Sequence, residues 1–274
     1  MNFPNILNEI EKIDPEVYER TSGRRHLLKS FSAKVAVAAL PFALGSLFKK
    51  AYGQIPAAIT DVLNYALTLE YLEAAFYTQG LASTGLIPGG AATTAINTIA
   101  THETAHVNFL KTTITALGDT AVASPEFDFT GGGLFPDVFT SYAAFLAVAQ
   151  AFEDTGVRAY KGQFIKLMDI NEVLAAALNI HSVEARHASQ IRQMRKNNSQ
   201  SNVKPWITGN QSGIGGTGSA AIQAVYNGEE NTMQDFIQVT NINGSGVTAE
   251  TASECFDEPL SKEEVLSIID PFLV

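Results

Sequence analysis

Apolar residues recur every three or four positions over four long stretches of the chain, and this spacing predicts four amphipathic helices. The first runs from about Pro56 to Leu81, with Pro56 suited to an early helical turn and Gly80 and Gly85 marking the exit. A Pro88-Gly89-Gly90 break precedes the second, about Ala91 to Leu117, which Gly118 stops. The third spans about Asp137 to Met168 and the fourth about Asn171 to Lys196. Only Asp169 and Ile170 separate these last two, so they are expected as antiparallel neighbours. Between the second and third lies a long connection containing Pro125, Gly131, Gly132, Gly133 and Pro136, long enough to cross the length of a bundle. The expectation is an all-α four-helix bundle over residues 55–197 with one long crossover. Beyond Asn197 the pattern fades into Gly, Ser, Asn and Thr, which predicts an irregular extension over 198–274. Near its end Ser261 and Glu264 form a capping-box pattern ahead of Val265, Leu266, Ile268 and Ile269. A short helix there would dock its apolar side on the bundle or on another subunit of a homo-oligomer. Trp206 reads as a packing anchor for this tail.

Carboxylates interrupt the apolar stripes in a regular way. On a helical wheel Glu70 lies among Leu63, Ala66, Ala74 and Tyr77, and Glu103 among Ile96, Ile99, Val107, Leu110 and Ile114. Glu153 lies among Leu146, Ala149, Val157, Tyr160 and Phe164, and Glu184 among Val173, Ala177, Ile180, Ala188 and Ile191. Glu103 and Glu184 each begin a Glu-x-x-His pair, with His106 and His187, and residues three apart share a helix face. Chance predicts roughly a third of one such pair in a chain of this composition, so two at matching places carry weight. Four buried carboxylates need positive charge beside them, because an uncompensated buried charge costs several kcal/mol. Arg158 and Arg186 project away from the stripes, which leaves metal ions. Carboxylate and imidazole donors suit iron, manganese or zinc. Four-helix bundles with paired iron or manganese place one Glu from each of two helices and one Glu-x-x-His from each of the other two in the core. All six positions are filled here, by Glu70, Glu103, His106, Glu153, Glu184 and His187.

The two halves echo one another, for Tyr77 follows Glu70 by the same seven positions that separate Tyr160 from Glu153. Each half reads Glu, Tyr, Glu-x-x-His, as in a duplicated helical hairpin about a pseudo-two-fold axis. Glu73, one turn from Glu70, could replace it or support it, and the Tyr77 spacing favours Glu70. His102 and His181 fall off the stripes or at their edge and read as surface residues or supports to the ligands rather than ligands, and Asp154 points about a quarter-turn from Glu153, toward solvent or a partner.

Composition narrows the function. With 274 residues, 46% hydrophobic and 17% charged, the chain can bury one good core with long extras, or two small domains. A net charge of −10 argues against nucleic acid as a partner, since phosphate contact needs a basic face. Cys255 is the single cysteine, so no internal disulfide forms. At the N-terminus Arg24-Arg25-His26-Leu27-Leu28-Lys29 precedes an apolar run from Val35 to Phe48, the order of a twin-arginine export signal. Residues 1–54 would then leave the mature chain, which would be periplasmic or held in the cell envelope with no stable membrane span. A polar segment before the arginines and Lys34, Lys49 and Lys50 around the apolar run depart from that pattern.

The segments Leu69 to Tyr77, His102 to His106, Ala151 to Glu153 and Ser182 to His187 resemble the ferritin-like domain of exported bacterial proteins related to desiccation-associated plant proteins. The resemblance covers about residues 56–197. It implies the six Glu and His residues as ligands of two metal ions, iron first and then manganese, with Tyr77 and Tyr160 beside the centre in electron transfer or hydrogen bonding. The resemblance does not deliver a substrate; a carboxylate-rich dinuclear site stabilises oxidised iron or manganese, so the expected activity is oxidoreductase chemistry on O2 or peroxide, by Fe(II) oxidation or peroxide removal. The alternative is a stress-protective protein whose metals stabilise the bundle without turnover.

Overall fold

The computed structural model describes residues 57–198, 202–215, 219–244 and 246–274; the expected export signal lies outside them. Four long helices form a bundle: α1 (Ala57–Ala82), α2 (Ala91–Ala116), α3 (Tyr142–Leu167) and α4 (Asn171–Asn197). Helices α1 and α2 pair as one hairpin and α3 and α4 as another, and α1 packs along α3. Helix α3 starts at Tyr142 rather than near Asp137, because the Ser141 hydroxyl caps it by accepting from Ala144 N at 3.3 Å. The preceding residues are drawn inward instead, burying Val138 and seating Phe139 against Phe76.

Gly80 near the end of α1 lies against Phe145 near the start of α3, so the two helices run antiparallel. The end of α2 and the start of α3 are therefore at opposite ends of the bundle, and the connection between them must run its length. Asp128 shapes this crossover by accepting from Thr130 N at 2.9 Å, Thr130 Oγ1 at 2.6 Å and Gly132 N at 3.0 Å. Gly131, Gly132 and Gly133 follow with φ of 60°, 66° and 91°, a left-handed run that side chains other than hydrogen strongly disfavour. The chain end pairs with the crossover, Asp128 N donating to Phe272 O and Val274 N to Glu126 O. Phe76, Phe129, Phe145, Phe152 and Phe272 form one aromatic end of the core; Ile59, Leu67, Leu110, Ile114, Leu167 and Ile180 belong to a second apolar cluster.

The extension after α4 holds only short elements among the described residues: α5 (Ser219–Gln223), a two-residue β-hairpin of β1 (Met233–Gln234) and β2 (Ile237–Gln238), α6 (Ala249–Ser253) and α7 (Lys262–Ile269), joined by 3-10 turns. The capping box of Ser261 and Glu264 opens α7, whose Val265 and Ile269 are fully buried in the core shared with the bundle. Three arginines on the outer faces of α3 and α4 fasten the extension. Arg158 donates to Val225 O, Asn227 O and Glu258 O and pairs with Glu229; Arg192 pairs with Asp154; Arg195 donates to Gln150 and to Gly213 O. Trp206 is 49% exposed, contrary to its expected anchoring role. The buried aromatic anchor is Tyr226, whose hydroxyl donates to Asp154 Oδ2 at 2.6 Å and lies under the Arg192 guanidinium. No described helix is long and apolar enough to cross a membrane.

Candidate metal centre

The apolar stripes carry their carboxylates inward: Glu70, Glu103, Glu153 and Glu184 are all fully buried. They meet in two overlapping groups. Glu70, Glu103, His106 and Glu184 offer ligand atoms within 4.8 Å of one another, and so do Glu103, Glu153, Glu184 and His187. The second glutamates of each hairpin, Glu103 and Glu184, belong to both groups. Glu70 and His106 lie on one side, Glu153 and His187 on the other, so the structure brings together all six residues singled out in the sequence. Arg186 is exposed and Arg158 is committed to the extension, as the wheel positions indicated.

The histidines face the carboxylates through Nδ1. His106 Nδ1 lies 3.0 Å from Glu70 Oε2, 3.0 Å from Glu103 Oε2 and 3.3 Å from Glu184 Oε1. His187 Nδ1 lies 2.6 Å from Glu103 Oε1 and 3.4 Å from Glu153 Oε2, off the line of a hydrogen bond in both cases. Glu103 Oε1, Glu153 Oε2 and both oxygens of Glu184 are likewise buried without a hydrogen-bond partner. Buried polar atoms are almost always paired, so a concentration of orphans on one spot marks a group that the polypeptide does not provide.

Electrostatics agrees. Burial, offset in part by His106, raises the Glu70 carboxyl to about 7, and burial followed by repulsion from Glu184 and Glu153 pushes Glu73 well above the usual range. Glu153 is raised in the same way despite His187. Burial opposes charge on His187, but Glu153 and Glu103 outweigh it and hold the imidazole up at about 11. His106 is raised for the same reason by Glu70, Glu103 and Glu184. Divalent cations would compensate such a cluster in place of the protons it otherwise holds. Oxygen-rich donors with two imidazoles and no thiolate fit hard or borderline divalent ions, and the two overlapping groups, which share Glu103 and Glu184, could form a di-metal site.

The tyrosines cross between halves. Tyr77 of α1 donates to Glu153 Oε1 of α3 at 2.5 Å, and Tyr160 of α3 donates to Glu70 Oε1 of α1 at 2.5 Å. Both hydroxyls are held protonated by burial and by the carboxylate each one serves. Each outer glutamate thus has one oxygen fixed and the other turned toward a histidine.

Two neighbours lie against the cluster. Glu73 is buried beside the other carboxylates, within the alternatives the sequence left open for it. His102, placed at the edge of its stripe, has Nδ1 2.9 Å from His187 Nε2 with the rings stacked. Burial and the facing His187 lower its basicity, so neutral His102 accepts from His187 Nε2–H and fixes that ring with Nδ1 inward. His181 takes no part: its Nδ1 donates to Val157 O at 3.0 Å. Asp154 is buried against Arg192 and Tyr226, away from the cluster.

The family model of the ferritin-like domain matches residues 58–197, the same span as the four helices. No curated protein and no solved structure matches the chain.

Proposed function

The chain belongs to the ferritin-like domain family, and from that premise we propose that it is a di-metal carboxylate protein acting on O2 or peroxide, by Fe(II) oxidation or peroxide removal. The observation that carries this reading is the set of orphaned, fully buried oxygens of Glu103, Glu153 and Glu184 facing His106 and His187. Glu70 with His106 would hold one ion and Glu153 with His187 the other, with Glu103 and Glu184 between them. A pair of iron ions held there, or of manganese ions in their place, would supply a two-electron couple matched to O2 or peroxide.

The chain's own residues prepare that chemistry. Anionic oxygens favour the higher oxidation states of either metal. Tyr77 and Tyr160 hold one oxygen of each outer glutamate, limiting how that carboxylate swings, and are placed to pass a proton or an electron at the phenol oxygen. His102 sets the ring of His187. The aromatic and aliphatic clusters on either side exclude bulk water, which strengthens every electrostatic interaction inside. An export route through the twin-arginine-type segment would suit a protein that must fold around metal before leaving the cytoplasm.

Anaerobic loading of the full chain with two equivalents of Fe(II), followed by air or peroxide, tests the proposal. New visible absorption with disappearance of Fe(II) faster than in buffer is expected. Metal that binds and raises the melting temperature but never reacts would move the assignment to a structural, stress-protective role.

A further inference from the structure

The two halves of the bundle match at Glu70 and Glu153 and again at Tyr77 and Tyr160, but one turn after the first glutamate the match fails. The first half has Glu73 where the second has Gly156. Gly156 keeps ordinary helical backbone in the middle of α3, where glycine is a poor helix former, so its use there calls for a reason of space. A Cβ at this position would stand 3.2 Å from Glu73 Oε1 and 3.1 Å from Glu184 Oε2, tighter than ordinary contact. The missing side chain is what lets two carboxylates from α1 and α4 approach the same point on α3. Glu73 is 2% exposed, and the carboxylates that act on it most strongly are Glu184 and then Glu153. Glu184 belongs to both ligand groups, and Glu153 only to the one that contains His187, so it is Glu153 that points Glu73 to that side. Both oxygens of Glu184 and one of Glu153 are buried without partners, so this spot is aimed at something beyond the polypeptide. The described arginines cannot serve it, since Arg158, Arg192 and Arg195 are bound to the extension's side.

We propose that Glu73 is a fifth carboxylate ligand, directed to the ion held by Glu153, Glu184 and His187, and that Gly156 is the space that admits it, so that the two ion sites are unequal. This rests on the di-metal reading and adds to it an asymmetry that the duplicated sequence pattern hides. Four carboxylates balance two divalent cations. A fifth leaves one negative charge in excess, concentrated on the His187 side, and makes that side the stronger binder and the one that favours a trivalent ion.

Titration of the metal-free full-length chain with Mn(II) by calorimetry, at fixed pH, reads this directly. The native protein should take up two ions in separate steps of unlike affinity. Glu73→Gln keeps the volume and removes the charge; it should weaken the tighter step by about 10- to 100-fold and leave the other within about twofold. Gly156→Ala removes no ligand but crowds Glu73 and Glu184 apart, so it should weaken the tighter step most and, because Glu184 belongs to both ligand groups, the other step to a lesser degree, while the helix content is unchanged. Two ions bound by both variants with native affinities would overturn the role of Glu73 alone. A native chain that binds no Mn(II) or Fe(II) would overturn this inference together with the metal centre itself.

Discussion

The hydrogen bonds from Tyr77 to Glu153 and from Tyr160 to Glu70 are short, buried and reciprocal, and each ties one helix's phenol to the other helix's carboxylate. Tyr77→Phe should therefore loosen the His187 side and Tyr160→Phe the His106 side. Each is expected to lower metal affinity by about tenfold, the usual effect of losing a hydrogen bond to a ligand, as equilibrium dialysis would show. Affinities unchanged in both variants would mean that the phenols merely fill space. At this scale the six cluster residues were readable because a helix returns to the same face every three or four residues, so a carboxylate amid apolar neighbours must point inward. The tyrosine spacing was readable too, though not that each tyrosine serves the opposite half. That depends on α1 and α3 running antiparallel, which no local pattern states. The Tyr77 spacing favours Glu70 over Glu73 in the sequence; the sign that Glu73 also enters the cluster is Gly156, a glycine in mid-helix.

Helix ends followed the sequence where glycine and proline punctuate it and departed from it at α3, whose start is set by Ser141 and by the inward pull of Val138 and Phe139. The extension was legible only as irregular chain and a capped terminal helix. Its anchors are arginines on helix backs, which look in sequence like solvated charges and become buried through contacts distant in the chain, 69 and 100 residues away for Arg158. Trp206 was misplaced for the same reason: composition names a candidate anchor, but Tyr226 has the partners. Bundle and extension approach tightly at Gly162, where a Cβ would overlap Leu260 O at 1.9 Å, while Leu260 N donates to Arg158 O at 3.2 Å. Gly162→Ala must push the segment before α7 off α3. Limited proteolysis should then cut the extension faster than it does in the native chain, with the four helices cut no faster. Removing the Arg158 side chain strands Glu229 in the interior and should destabilise the fold by about 3–5 kcal/mol in urea unfolding. A loss below about 1 kcal/mol would mean the pair is solvated.

For the whole molecule, packing five carboxylates into one core makes stability depend on pH and metal together. The Glu70 carboxyl rises from an ordinary 4.5 to about 7 in the folded, metal-free protein. A group whose folded pKa is raised holds its proton better folded than unfolded, so its stabilising effect is complete below about 4.5 and disappears as pH climbs through about 7. His187, raised to about 11 from 6.5, pushes in the same direction over a higher window. The melting temperature of the chelator-treated protein should accordingly fall from about pH 5 to about pH 8. With metal present the trend should reverse over that range, because ligands must release protons to bind. A metal-free melting temperature that rises with pH would contradict the burial of these groups in solution. The four-helix outline was fully legible in the sequence, as was the convergence of charge within it; the asymmetry between the halves was not.

The most direct test of the central claim is elemental analysis of the purified chain after anaerobic Fe(II) or Mn(II) loading and removal of excess metal, alongside Glu103→Ala and Glu184→Ala. Two ions per native chain and fewer than one in either variant are expected, since both carboxylates belong to both ligand groups. Two ions retained by both variants, or none by the native chain, would contradict a metal centre built on the four-helix core.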